Sequence, residues 1–265
     1  KPAVIPASTV RPESIREVKV FEVYPGSVDR LPDDRVLVTW NYIADDKAKD
    51  GYYERALLYS ISSDQGRTWS DQKVIGPVEG KHLGAVRHNV LPWKEGRWLL
   101  PLRVGTPRLY DPRTSALEVF PIVGPDKKTH SFQQIVRTPK GTLLAMGPVM
   151  LRSVDEGASW DEVESFRKPA STDNAEGRYL TVIPDGRLLV TWGDGRANKG
   201  LRFNVSADDG LTWNNDKTVI LFAEKPITAH YYSPRTIALD DTHVGTVFVH
   251  GGFSFLKIPL ERIAE

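Results

Sequence analysis

Apolar residues along this chain come in short runs, cut off by Pro, Asp or Gly. No long stretch places them at i, i+3, i+4 and i+7, the spacing of an amphipathic helix. Residues 35–40 (RVLVTW), 97–102 (RWLLPL), 142–146 (TLLAM) and 187–192 (RLLVTW) each read as a strand. Each follows a turn: Pro32-Asp33-Asp34, Lys94-Glu95-Gly96, Pro139-Lys140-Gly141 and Pro184-Asp185-Gly186. Asp and Gly tolerate the positive φ that tight hairpins need. Many short strands with regular turns predict an all-β fold.

A repeat sharpens this reading. The pattern S-x-D-x-G-x-[TS]-W occurs at residues 62–69, 153–160 and 206–213. In each copy the Asp accepts from nearby backbone N–H groups, the Gly supplies a left-handed residue and the Trp anchors the next strand. The first two copies are 91 residues apart and the last two 53 apart. Those gaps correspond to two units and one unit of roughly 40–50 residues, the size of a four-stranded propeller blade.

The pattern resembles the Asp box of the sialidase-like (neuraminidase, BNR-repeat) superfamily, and the likeness covers most of the chain. It implies a β-propeller. Five blades are counted here, with six as the alternative: about 27–76, 86–124 (without a box), 131–166, 177–222 and 231–263. Each is expected to hold four antiparallel strands, in one domain spanning residues 1–265. Residues 17–23 (EVKVFEV) alternate polar and apolar and are expected to pair with the last blade and close the ring.

Propellers usually take ligands at one mouth, lined by the starts of the innermost strands. Those positions hold Arg87, His88, His130, Gln133, Arg178, Tyr179, His230, Tyr231 and Arg235. Each has a plain structural reading as well, as a packed Tyr or a solvated ion pair. The family's nucleophile is a Tyr in a Tyr-Ser pair opening the last blade, matched by Tyr232-Ser233. Its activating carboxylate precedes an earlier inner strand, where this chain has Glu176. Its acid/base is an Asp about a dozen residues before the first box, where Asp50 stands. This set implies a glycoside hydrolase: a carboxylate takes the proton of a Tyr too weakly acidic to attack unaided, and a second carboxyl protonates the leaving oxygen. Arg178, Arg196 and Arg235 would hold an anionic group. The family's first carboxylate-binding Arg stands in an Arg-Ile-Pro motif, but residues 21–27 here read FEVYPGS, with Pro25 and no Arg before it. Sialic-acid specificity therefore does not carry over with the fold.

Two other readings remain open. His88, His130, His230, Tyr231 or Tyr232 and Arg235 would suit a lyase on uronate-containing polysaccharides, with His as the base. A non-catalytic glycan- or protein-binding propeller would stack sugars on Trp40, Trp93, Trp98 or Trp192.

Composition narrows the partners. The 265 residues carry a formal charge of +1, against the basic surface a nucleic-acid groove requires. There is no Cys, hence no disulfide scaffold, thiolate zinc site or cysteine nucleophile. The His spacing shows no metal-ligand motif, so neither metal nor cofactor is expected. No apolar run reaches the roughly 20 residues of a membrane helix. The expected partner is an oligo- or polysaccharide. The first residues hold neither Met nor an apolar signal core, so only the resemblance, which implies a secreted or periplasmic place, bears on localisation.

Overall fold

A computed structural model describes residues 20–44, 54–76, 83, 85–86, 88–102, 105–129, 131–166, 178–194, 200–214, 219–223, 234–249 and 253–263. The fold is the all-β, five-bladed β-propeller expected, with sheets of three or four antiparallel strands in meander order. The chain divides into two compact units.

The first unit holds blades one and two. Blade one is β1 (Val20–Arg30), β2 (Val36–Ala44), β3 (Glu54–Ser62) and β4 (Lys73–Ile75). Blade two is β5 (Leu91–Pro92), β6 (Trp98–Leu100), β7 (Arg108–Asp111) and β8 (Ala116–Val119). Leu37, Leu57, Tyr59 and Ile75 pack on Val90, Trp98, Leu100 and Tyr110. The Tyr59 and Trp98 rings meet edge to face at 5.0 Å, a favoured geometry for aromatic pairs.

The second unit holds the other three blades. Blade three is β9 (Gln134–Arg137), β10 (Leu143–Met146), β11 (Met150–Ser153) and β12 (Asp161–Glu162). Blade four is β13 (Arg178–Val182), β14 (Leu188–Asp194), β15 (Gly200–Ser206) and β16 (Val219–Ala223). Blade five is β17 (Arg235–Asp240), β18 (His243–Val249) and β19 (Phe253–Pro259). One cluster, with Leu144, Met146, Leu180, Val190 and Trp192, joins blades three and four. A second, with Leu189, Phe203, Val244 and Ile258, joins blades four and five.

The turns explain why these strands form. In blades one to four the first hairpin is closed by a loop of five residues: Leu31 N donates to Arg35 O, Trp93 N to Arg97 O, Thr138 N to Thr142 O and Ile183 N to Arg187 O, at 2.8–3.0 Å. The fourth residue of each loop has positive φ: Asp34, Gly96, Gly141 and Gly186. These are the four turns read from the sequence.

The three repeated octapeptides join the third and fourth strands of blades one, three and four. Ser62, Ser153 and Ser206 each donate to the Asp two residues on, and their Oγ accepts from the Gly four residues on at 2.7–3.0 Å. The same Asp accepts from the backbone N–H of Thr68, Ser159 or Thr212 at 2.8–2.9 Å. Trp69 and Trp160 donate Nε1 to the carbonyls of Gly66 and Gly157, 3.1 Å in both. Blade two lacks the octapeptide, and there Asp111 turns the chain with Arg113, whose N–H lies 2.9 Å from Asp111 Oδ1.

Two expectations need correction. Among the described residues, 20–23 pair with β2 and not with the last blade, from Val20 opposite Ala44 to Val23 opposite Tyr42. The tight loop at 31–35 brings β1 and β2 together at small entropic cost, whereas a partner at the far end of the chain closes a very long loop. Blade five shows three strands, not four, among the described residues.

Candidate functional site

In the second unit the inner strands of three successive blades lie side by side, joined by hydrogen bonds rather than by a continuous sheet. Gln134, 1% exposed, donates Nε2 to Leu180 O at 2.6 Å and accepts from Leu180 N at 2.7 Å. This fastens β9 to β13. Thr181 Oγ1 donates to Thr236 O at 2.7 Å, and the Thr236 hydroxyl lies 2.9 Å from both Thr191 Oγ1 and Thr246 Oγ1. This fastens β13 to β17. Buried polar groups are tolerated because each meets a partner.

The same bonds bring the starts of β13 and β17 together. The Arg235 guanidinium lies over the Tyr179 ring, 5.1 Å from its centroid, within the range of a cation–π contact. Tyr179 and Arg235 are half-buried. Arg178, one residue earlier, is 1% exposed and turned into the protein, where Nη2 donates to Gly147 O at 2.8 Å. Burial pushes its guanidinium down to about 10, still high enough to keep the charge at neutral pH.

The first unit holds two more of the expected residues. His88 is 4% exposed, and its Nε2 lies 3.4 Å from Gln133 Oε1, the Nε2-protonated tautomer donating. A buried, partnered His is a packed residue rather than an exposed base. Tyr232, Glu176, Asp50, Arg87, His130, Arg196, His230 and Tyr231 lie outside the described residues.

Asp29 was not anticipated as a notable group. Its Oδ2 accepts from Val90 N at 2.8 Å, and burial pushes its carboxyl up to about 6 despite hydrogen bonds from Ser27 and Val90. A signal existed in the parity of β1: Ser27 is buried and Val28 is 72% exposed, so this stretch turns its polar residues inward. A register shift lies between Pro25 and Val28.

No family model matches the chain, and no curated protein does. Solved structures do. A Dyadobacter fermentans protein of unknown function superimposes with a TM-score of 0.61 at 19% identity, covering 88% of this chain and 74% of its own. The intramolecular trans-sialidase from Ruminococcus gnavus, in complex with oseltamivir carboxylate, gives 0.55 at 15% identity, covering 91% and 78%. The α-L-arabinanase of Penicillium chrysogenum, complexed with arabinobiose, gives 0.51 at 15% identity, covering 89% and 80%. At these identities the likeness establishes the propeller fold. Fold alone does not fix activity.

Proposed function

We propose that this chain is a glycoside hydrolase of the sialidase-like kind, acting on an oligo- or polysaccharide. The observation that carries this reading is the meeting of β13 and β17, with Arg235 over Tyr179 at the starts of the two strands. Glu176 stands two residues before β13 and Tyr232 three before β17. The reading assigns the carboxylate and the phenol to the segments that lead into those two strands.

In this scheme Tyr232 attacks the anomeric carbon while Glu176 takes its proton, and Asp50 protonates the departing oxygen. Water then attacks the anomeric carbon with Asp50 as base, and Glu176 returns its proton to the Tyr232 oxygen as the glycosyl–tyrosine bond breaks. A Tyr nucleophile with a carboxylate partner is a known exception to the usual pair of carboxylates. Arg235 and Arg196 are the cations assigned to an anionic group on the sugar. The trans-sialidase and the arabinanase, both named for glycans, support a saccharide substrate. The buried His88–Gln133 pair gives no support to the lyase reading.

The test is turnover on a panel of aryl glycosides that includes sialosides and arabinosides. Tyr232→Phe and Glu176→Gln should each lower kcat by roughly 10²–10⁴ while the melting temperature stays near that of the unsubstituted protein. Unchanged turnover in both variants, or no cleavage of any glycoside in the panel, refutes the assignment.

A further inference from the structure

Blade five ends differently from the other blades. The last strands of blades one to four, β4, β8, β12 and β16, run for two to five residues. β19 runs for seven, and among the described residues no strand pairs with its far side. The chain that follows does not double back along it. Leu260–Arg262 make a single 3₁₀ turn, which buries Leu260 and Ile263 with Leu189 and Phe203 of blade four. Arg187 fixes that turn by donating to the carbonyls of Leu260 and Ile263.

The direction of the free backbone groups follows from the register. Leu260 N donates to Thr242 O at 2.8 Å, one step beyond the Pro259–His243 pair. Hydrogen-bonded and non-hydrogen-bonded pairs alternate in an antiparallel ladder. Ser254, Leu256 and Ile258 therefore bond to β18, while Phe253, Phe255 and Lys257 turn N–H and C=O outward. Pro259, which has no N–H, falls in the outward set. The face beside this edge is apolar: Phe255 is 55% exposed and Ile237 53%, and Leu239 and Val247 are exposed as well. Phe255 and Leu239 close over Gly245, where an added Cβ would meet them at 2.8–2.9 Å. The opposite face, with Val244 and Ile258, is the one packed on blade four. A long apolar edge with unpaired backbone groups is a template for another strand.

This edge is complementary to itself. Two copies of β19 set antiparallel, Phe255 opposite Phe255, place Phe253 opposite Lys257 on either side. Each such pair exchanges two N–H···O bonds. No like charges face each other, and Pro259 lies beyond the three pairs. Val247 stands opposite Phe255 within each blade, so a row of four apolar residues crosses the junction. We propose that β19 is a self-association edge, where a second copy of this chain pairs about a twofold axis and joins the two three-stranded blades into one continuous sheet. The edge is on the outer strand of blade five, and nothing in the hydrolase reading supports or requires it.

Sedimentation of the full chain over roughly 1–100 μM is the first test. The weight-average mass should rise from one chain towards two, and hydrogen exchange at the Phe255 and Lys257 amides should slow in step. Phe255→Lys sets like charges opposite each other and should weaken the dimer by roughly tenfold or more. The chain has no Cys, so Phe255→Cys introduces a lone thiol whose counterpart stands across the junction. The two Cα atoms there are about 5.5 Å apart, within disulfide reach. Mild oxidation should give a covalent dimer, and Ile237→Cys, two strands from the junction, should give none. A single-chain mass throughout overturns the proposal, as do a dimer unaffected by Phe255→Lys and equal cross-linking at both positions. Protection of the Phe255 and Lys257 amides in the monomer also overturns it, since another part of the chain then covers the edge. The mass and exchange readouts on the unsubstituted protein stand even if a variant fails to fold. None involves glycan turnover, so this proposal and the hydrolase reading fail separately.

Discussion

Asp29→Asn is the substitution whose effect follows most directly from the structure. Asp29 accepts from Val90 N, linking β1 of blade one to the chain entering blade two. Burial raises its carboxyl from an ordinary 3.8 to about 6. A raised carboxyl binds its proton more tightly folded than unfolded. Its contribution is therefore fully present below pH 3.8 and lost as the pH climbs through about 6. The interval of about 2 pH units corresponds to about 3 kcal/mol in all, at 1.36 kcal/mol per unit. Between pH 4 and pH 7 about 2 kcal/mol of it should disappear. Asn resembles the protonated acid in shape and still accepts from Val90, but it cannot ionise. The variant should match the parent near pH 4 and exceed it by about 2 kcal/mol at pH 7. Urea unfolding of both proteins across pH 4–7.5 gives the difference directly, because every other titrating group cancels. A difference that is flat with pH, or that favours the parent as pH rises, would refute the account of Asp29 as a buried acid.

Three further outcomes follow from the fold. Gln134→Ala removes both bonds to Leu180 and leaves a buried N–H and C=O without partners, at about 1–3 kcal/mol each; a loss of less than 1 kcal/mol in urea unfolding would show that the clasp between blades three and four is dispensable. Gly210→Ala and Gly186→Ala both place a side chain at φ above +80°, a strain of about 1–2 kcal/mol. A Cβ at Gly210 also meets Leu144 at 2.8 Å while one at Gly186 meets nothing within 4 Å, so the first variant should melt several degrees below the second; equal melting points would contradict the packing. Hydrogen bonds from the side chains and backbone of Thr68 and Ser159 hold the Asp64 and Asp155 carboxyls down to about 2. Their contribution is present above pH 3.8 and lost as the pH falls through about 2, so Asp64→Asn/Asp155→Asn should flatten the acid limb of an unfolding titration monitored by circular dichroism.

The parts of the fold that the sequence makes legible are those whose partners lie within four or five residues. The Ser62-Asp64-Gly66-Thr68 set closes on itself, and so does the Ile183–Arg187 turn. Residue type and spacing therefore carry their whole physics. Blade boundaries follow, because each blade is built from such turns. The orientation of residues between turns depends on distant partners. Nothing near Gln133 and Gln134 says that one reaches His88 and the other clasps Leu180, 46 residues away. Nor does the alternation of residues 17–23 reveal its partner, since a half-buried strand fits β2 or a last blade equally well.

The same distinction bears on the candidate site. Polar residues at the starts of inner strands look like a ligand-binding rim when read from sequence. In the structure several of them hold the blades together: Gln134 and Thr181 span blades, Thr236 joins three strands, and His88 meets Gln133. Propeller blades share no continuous sheet, so neighbouring inner strands need side chains to bridge them. A polar residue there is thus informative about ligands only when its own groups are left over after bridging. Arg178 keeps two donors without a hydrogen-bond partner, but they are enclosed in the protein. Tyr179 and Arg235 stand at the same strand starts but are only half-buried, and contact with solvent is what a sugar requires. Burial, which the hydrophobic pattern does not encode for an Arg, is what distinguishes Arg178, turned into the protein, from the half-buried Arg235.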